Sequence, residues 1–286
     1  VGRALFGDDV DASVPALRRL VPLAGELVVA RARQLTRPPL HWPTPRNRRL
    51  TRTRAEQYAI VDAILAGRPV GRADDERDDL LSRLRSARDP QTGQPLSEQE
   101  IRDQVLVFLL AGHETTAGAL TFTLHLLGRH PDTQDEVAAA GAPAVGNNDL
   151  VRAAVSEGMR LFPSVHLMER LAGTDTQVGG YPVAAGTMVL TSPWVTHRHP
   201  DFWPEPDRFD PHRFVGDHDR PRYAYFPFGG GPRSCIGEHF AMVESTVLLR
   251  ALLSRYRVTA LDPGMNLQPL ITLRPTTPVR AVLHRR

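Results

Sequence analysis

The chain has 286 residues, 41% of them hydrophobic and 23% charged, a balance that excludes a disordered chain and allows one large domain or two ordinary ones. Its formal net charge is only +3 despite 35 basic residues, all of them Arg, so nothing in the charge marks a nucleic-acid binder. One cysteine, Cys235, excludes an internal disulfide framework and any zinc or iron–sulfur site built from several cysteines.

In chain order, residues 1–96 read as helices broken by proline-rich joints. Asp11 to Gln34 has helical periodicity in Val14, Leu17, Leu20 and Leu27, with Pro22 expected to kink or divide it. Pro38-Pro39 and Pro43-Thr-Pro45 demand an extended connector before a helix over 47–67, whose first half carries Arg46, Arg48, Arg49, Arg52 and Arg54 as a solvated basic face. A short charged helix is expected over 74–88. Ser97 with Glu100 forms a capping box, opening a long central helix over 97–130 that Pro131 ends. Its longest apolar run, Val105–Ala111, is seven residues, far short of the roughly 20 that span a bilayer, so no membrane segment is expected. Apolar nearly all round from Val105 to Leu110, this helix is expected to cross the interior, yet it carries Gly112-His113-Glu114-Thr115-Thr116 in its middle. A break of that kind in a local rule marks a functional site.

Helices follow at 132–140 and 149–162, then strand-like segments at 177–183 and 187–190 with turns at Gly179-Gly180 and Ala185-Gly186. Residues 199–232 are rich in proline and aromatics and poor in periodicity, the pattern of a functional loop. A helix is expected over 236–256, and the tail, 267–284, alternates like a β-hairpin around Pro275 and Pro278. The Cys235 loop, 228–237, holds three consecutive glycines and stands just ahead of that helix, whose N-terminus favours a thiolate. Taken alone, such a thiolate can bind a metal, attack a substrate or form a disulfide.

The surroundings of Cys235 choose among these. Phe228-x-x-Gly231-x-Arg233-x-Cys235-x-Gly237 resembles the haem-ligand loop of the cytochromes P450, in which a Cys thiolate ligates haem iron. Three further stretches stand in that family's order. Ala111-Gly-His-Glu114-Thr115-Thr116 is similar to its oxygen-activating segment, Glu157-Gly-Met-Arg160 to its Glu-x-x-Arg pair, and Pro206-Asp-Arg208-Phe209 to the Pro-x-Arg-Phe segment of its meander. The resemblance implies a mainly α fold with small β-sheets, as a single domain over 1–286 covering the C-terminal two-thirds of that fold. The family's first helices, part of its N-terminal sheet and its Trp-x-x-x-Arg helix are expected ahead of Val1.

The same resemblance implies haem b as cofactor, with Cys235 as the axial ligand of its iron, Arg233 and Arg170 on the propionates, and Phe228, Gly229, Gly237 and Ala111 around the macrocycle. Glu114 and Thr115 are the catalytic pair, an acid beside an alcohol that relays protons to dioxygen. Peroxide-using members commonly carry Arg-Pro there, so Glu-Thr favours an electron-fed monooxygenase. Glu157, Arg160 and Arg208 form a structural lock whose breakage leaves an unpaired buried charge. Leu109, Gly112, Val165, His166, Leu167, Leu270 and Ile271 line the substrate pocket, with His166 as its polar exception. The implied partners are a small apolar organic substrate, dioxygen and a separate ferredoxin- or flavodoxin-type electron donor, in a cytoplasmic setting and, from the Arg- and Ala-rich composition, a bacterial gene. A haem-binding protein without turnover, a sensor or an inactive fragment, is the alternative that an intact Glu114-Thr115 opposes.

Overall fold

The computed structural model describes residues 13–34, 36, 38–68, 79–141, 149–216 and 219–286. The opening stretch Val1–Asp9 and the whole of the 142–148 connection thus lie outside the described residues, as does the start of the expected 74–88 helix. Contacts divide the chain into two compact units, Val1–Glu114 and Thr115–Arg286, with the boundary inside the central helix.

The first unit holds α1 (Val14–Ala32), α2 (Pro45–Ala66), α3 (Leu80–Ser86) and the front of α4 (Glu98–Arg129). α1 continues through Pro22, which removes one backbone donor without ending the helix. Thr44 caps α2 by accepting from the Asn47 N–H at 3.1 Å, and Pro45 takes the first helical position, where a missing N–H costs nothing. Asn47 itself is buried. Its Nδ2 donates to the carbonyls of Pro39 and Trp42, and its Oδ1 accepts from Arg31, so one amide fastens the proline-rich connector between the helices. Leu17, Leu20, Val21, Ile60, Val61, Leu81, Val105 and Leu109 form this unit's core. The five arginines at the start of α2 are exposed, as a solvated face requires.

α4 opens on the expected box: the Ser97 N–H donates to Glu100 Oε2 at 2.7 Å and the Glu100 N–H to Ser97 Oγ at 3.3 Å. Its apolar run is not buried all round, as the sequence suggested. Val105 and Leu109 are inside while Val107, half a turn away, is 55% exposed, so the run packs by a stripe at helical spacing. By length and composition α4 is also long and apolar enough to cross a membrane. We read it as a core helix, because Ala119, Phe122, Leu126 and Leu127 continue the buried stripe in the second unit.

That second unit adds α5 (Pro131–Ala140), α6 (Asp149–Leu161), the four-residue α7 (Pro193–Thr196) and α8 (Glu238–Leu253). Its core joins Leu126, Leu127, Val137, Val151, Val155, Met159, Leu249, Leu253 and Val258. Four two-stranded antiparallel sheets lie around it: β1 (Met168–Leu171) with β4 (Met188–Thr191), β2 (Thr176–Val178) with β3 (Tyr181–Val183), β5 (Tyr256–Ala260) with β8 (Ala281–Arg285), and β6 (Leu267–Pro269) with β7 (Leu273–Pro275). The β2–β3 hairpin turns on Gly179 and Gly180, both at positive φ.

The tail departs from the expected single hairpin. β6 and β7 pair with each other, while β8 reaches back to β5 in the register Tyr256↔Arg285 to Ala260↔Ala281. β5 takes Tyr256, which the sequence reading gave to the preceding helix; that helix ends at Leu253. Tyr-Arg-Val-Thr-Ala suits a strand, and buried Gln134 holds it there: its Nε2 donates to the Val258 carbonyl and its Oε1 accepts from the Val258 N–H.

Candidate active site: a glycine-bounded cysteine loop, a buried arginine clamp and a polar helix turn

The Cys235 loop is shaped by its glycines. Gly229 and Gly231 adopt φ of 74° and 70°, a region closed to most side chains. Gly230 is extended, but a Cβ there would come within 2.5 Å of the Tyr223 ring. The Cys235 N–H donates to the Phe228 carbonyl at 2.9 Å and the Ser234 N–H to Gly231 at 3.0 Å, closing the loop on itself. Phe228 packs against the second unit's core, which anchors the loop's start, and Gly229 lies against Met168. Beyond it, Gly237 caps α8 without a side chain. The first-turn N–H groups of a 16-residue helix therefore face the region of a negative sulfur. Cys235, Arg233 and Ile236 are exposed, Ile236 at 87%.

This donor set fits a haem. A thiolate ligand needs an accessible sulfur flanked by backbone without bulk. A Cβ on Gly231 would meet nothing within 4 Å, and one on Gly237 only Cys235 Sγ at 3.8 Å. Arg233 and Arg170, both exposed, are the guanidinium forks available to carboxylates; Arg170 stands on β1 opposite Val189, and its Nη1 donates to the Glu169 carbonyl.

The Glu157–Arg160 pair is fully buried. Arg160 Nε donates to Glu157 Oε2 at 2.6 Å and Nη2 to Oε1 at 2.8 Å, a bidentate pair between neighbouring faces of α6. The Asp210 N–H adds a third donor to Oε1 at 2.9 Å. Burial pushes the Glu157 carboxyl above its usual range, while Arg160, the Asp210 N–H and Arg213 pull it back. Arg160 spends its remaining donors on the carbonyls of His197 (2.9 Å), Pro206 (2.6 Å) and Arg208 (3.0 Å), and its guanidinium lies 5.1 Å from the Trp203 ring. One side chain thus ties two backbone points of the meander to the end of α7. Trp203, fully buried, donates its indole N–H to Ala224, and Arg220 covers the ring at 4.4 Å.

Arg208 does not occupy the place the sequence reading gave it. Its side chain, 61% exposed, pairs with Glu205 at 2.9 Å, and only its carbonyl meets Arg160. The meander arginine beside Glu157 is Arg213, whose Nε stands 3.7 Å from Oε1 at 12% side-chain exposure. The Pro-x-Arg-Phe pattern occurs twice, at Pro206–Phe209 and again at Pro211–Phe214, where a 3₁₀ turn capped by Asp210 brings Arg213 inward. His197, whose pairing with His199 as metal ligands the sequence reading set aside in favour of a turn, is buried with its Nε2 accepting from the Phe226 N–H at 2.9 Å. Burial first and the Arg160 guanidinium second push its imidazole down to about 3, so it is neutral. Neighbouring Arg198 is brought down to about 10 by the same two causes, and it covers the Trp194 ring at 3.8 Å.

Thr115 opens the second unit, and its carbonyl accepts from Ser164 Oγ at 2.8 Å. Of the expected pocket residues in this unit, Val165, His166 and Leu270 are half-buried, while Leu167 and Ile271 are exposed. Burial pushes the His166 imidazole below its usual range, and its Nδ1 is buried without a hydrogen-bond partner. In the first unit Leu109 lies in the core, Gly112 and Glu114 are half-buried and Ala111 is exposed.

A mainly helical fold carrying an exposed cysteine on a glycine loop at a helix N-terminus, with a buried Glu-x-x-Arg clamp behind it, defines the haem-thiolate class. The sequence profile of Cytochrome P450 matches residues 1–281, and the chain belongs to that family. It is 36% identical over 282 residues to cyclooctat-9-en-7-ol 5-monooxygenase of Streptomyces melanosporofaciens, covering 93% of this chain and 60% of that protein. Cyclooctatin synthase of the same organism is 37% identical, with 93% and 61% covered. Cytochrome P450 4V2 of Mus musculus is 35% identical over 247 residues, 81% of this chain and 47% of the relative. The chain therefore spans about three-fifths of the length of the two Streptomyces relatives.

Proposed function

We propose that the protein to which this chain belongs is a haem-thiolate monooxygenase. It converts a C–H bond, dioxygen, two electrons and two protons into a C–OH bond and water, taking its electrons from a separate ferredoxin- or flavodoxin-type protein. The observation that carries this reading is the exposed Cys235 sulfur on its glycine loop ahead of α8, in a chain that also keeps Glu114-Thr115 in its central helix.

Haem b, when bound, supplies the iron that activates dioxygen. Cys235 supplies the sulfur ligand, and the α8 N-terminus stabilises its negative charge. Gly237 would let the porphyrin approach the backbone, with Phe228 and Gly229 beside it, and Arg233 and Arg170 would pair with the propionates. The Thr115 hydroxyl would offer a proton donor to bound dioxygen, and the Glu114 carboxyl would pass protons to that hydroxyl from solvent. Glu157, Arg160 and Arg213 hold the meander and so the entry to the cysteine loop. Val165, Leu167, Leu270 and Ile271 would present apolar surface to an organic substrate, with His166 offering it one polar contact. The first Streptomyces relative is named for oxygen insertion into an alkenol, which agrees with a largely apolar molecule bearing a polar group. A cytoplasmic setting keeps the single cysteine reduced.

The test is the absorption spectrum of the haem-loaded protein, reduced and exposed to carbon monoxide. A strongly red-shifted Soret band is expected, and Cys235→His should abolish it. A blue-shifted band in the unsubstituted protein would sink the thiolate assignment. Isotopically labelled dioxygen appearing in one product atom separates turnover from mere haem binding.

A further inference from the structure

We propose that Ser164 is a positioning residue for the Thr115 turn of the central helix. The inference rests on the role given to Thr115 above and extends it to a residue that never touches the reacting atoms. The segment after α6 runs as a strap along α4. Phe162 stacks on Phe122 with ring centroids 5.1 Å apart and planes 26° from parallel, and two helical turns toward the N-terminus Ser164 Oγ donates to the Thr115 carbonyl at 2.8 Å. Between these points lies Pro163, buried and fixed in φ, so the strap has little freedom to slide.

Ser164 is held from its other side as well. Its carbonyl accepts from the Leu273 N–H at 2.8 Å, at the start of β7, and both Thr272 and Leu273 are buried. A backbone anchored on one side and a hydroxyl fixed on the other make a rigid bracket. Gly118, one turn beyond Thr115, faces the same bracket: a Cβ there would stand at ordinary contact distance, 3.4 Å from Ser164 Oγ and 3.9 Å from the Leu273 carbonyl.

The consequence follows from helix chemistry. The carbonyl of a residue in mid-helix is committed to the N–H four residues on, and it retains a second lone pair. A side-chain donor on that lone pair tilts the peptide and locally bends the helix. The tilt sets the Cα–Cβ direction of Thr115 and hence where its hydroxyl stands. Placement of a proton donor is sensitive on this scale, since a displacement of about 1 Å can cost on the order of 100-fold in rate.

Two measurements on the haem-loaded protein decide the matter, neither of them turnover. In hydrogen exchange of the peptide covering 111–119, Ser164→Ala should raise amide exchange roughly fivefold, the factor one net hydrogen bond supplies. Ser164→Thr keeps the hydroxyl and should leave exchange as it is. With carbon monoxide as the probe of the reduced protein, Thr115→Ala should shift the C–O stretching band, and Ser164→Ala should broaden it in the same direction, with Ser164→Thr restoring it. Unchanged exchange and an unchanged band in Ser164→Ala, beside a shifted band in Thr115→Ala, overturn the role of Ser164 and leave that of Thr115 standing. A silent Thr115→Ala band removes the reading of Thr115 instead, and the exchange data then still decide whether Ser164 holds the turn. If Ser164→Thr loosens the helix as much as alanine does, the hydroxyl is not the cause and the inference fails.

Discussion

Arg160 shows how much one buried charge can organise. A guanidinium with no water contact must find partners for all its donors, and here a carboxylate takes two directions while two meander carbonyls and that of His197 take the rest. The same reasoning separates the two meander arginines. Arg213 lies beside the fully buried Glu157, so Arg213→Ala removes a compensating charge and should destabilise by roughly 1–3 kcal/mol. Arg208 forms an exposed pair with Glu205, and Arg208→Ala should stay within about 0.5 kcal/mol of the parent. Urea unfolding of the two variants reads this difference directly, and equal losses would contradict the assignment. The sequence could not make that choice. Pro-x-Arg-Phe occurs twice, five residues apart, with the same residue types. What distinguishes the copies is the 3₁₀ turn after Asp210, whose own N–H bonds Glu157 from 53 positions away. The burial of His197 was hidden for a similar reason: it depends on Arg160, Tyr225 and Phe226 gathering around the ring.

At the scale of elements, local signals were enough wherever a helix carried its own punctuation. The capping box at Ser97 and the proline at 131 bound α4 to within a residue, and α5 and α6 likewise run close to their expected limits. The β-strands were less legible because their partners are distant. β8 pairs with β5 across the whole tail, and the expected hairpin there rested on alternation alone. β1 was missed entirely: Met-Glu-Arg-Leu has no strand signature, and pairing with β4 supplies it. Helix crossings were equally invisible. In Glu157-Gly158-Met-Arg160 the glycine reads as filler between two functional residues. In the fold it is where α6 meets α4, and a Cβ there would come within 2.1 Å of Thr123 Oγ1 and 3.1 Å of Thr123 Cβ. Thr123 cannot give way freely, since it is fully buried and donates to the Ala119 carbonyl at 2.8 Å. Gly158→Ala, benign by helix propensity, should therefore cost about 1–3 kcal/mol or more through overpacking. Pairing it with Thr123→Ala, which removes Oγ1, should recover part of the loss. No rescue in the double variant would show that the crossing is not the source.

For the molecule as a whole, the two units each bury an apolar core, and the cysteine loop and one face of α8 are among the apolar stretches left uncovered. Ile236, Val243, Val247 and Leu248 are all exposed, as are Cys235 and Arg233. A loop held by its own hydrogen bonds and one aromatic anchor gains little stability from packing, so a bound prosthetic group should contribute a large share of it. Binding to the native state alone stabilises by RT ln(1 + [L]/Kd), about 2.7 kcal/mol at a hundredfold excess over Kd. For a chain of this length, one kcal/mol moves the melting midpoint by roughly 2–4 °C. Haem loading should thus raise the midpoint by about 5–10 °C, and the gain should grow with haem concentration. Cys235→Ala keeps the glycines, the arginines and the cores but loses the sulfur ligand, so its midpoint without haem should match the parent while its gain on loading shrinks. Thermal melts of both proteins, with and without haem, check each part. An equal gain in the variant would mean that haem binds elsewhere than at Cys235. No gain in either would mean that this chain does not form the pocket. Only a shift that depends on the sulfur ties the stability of the fold to the chemistry proposed for it.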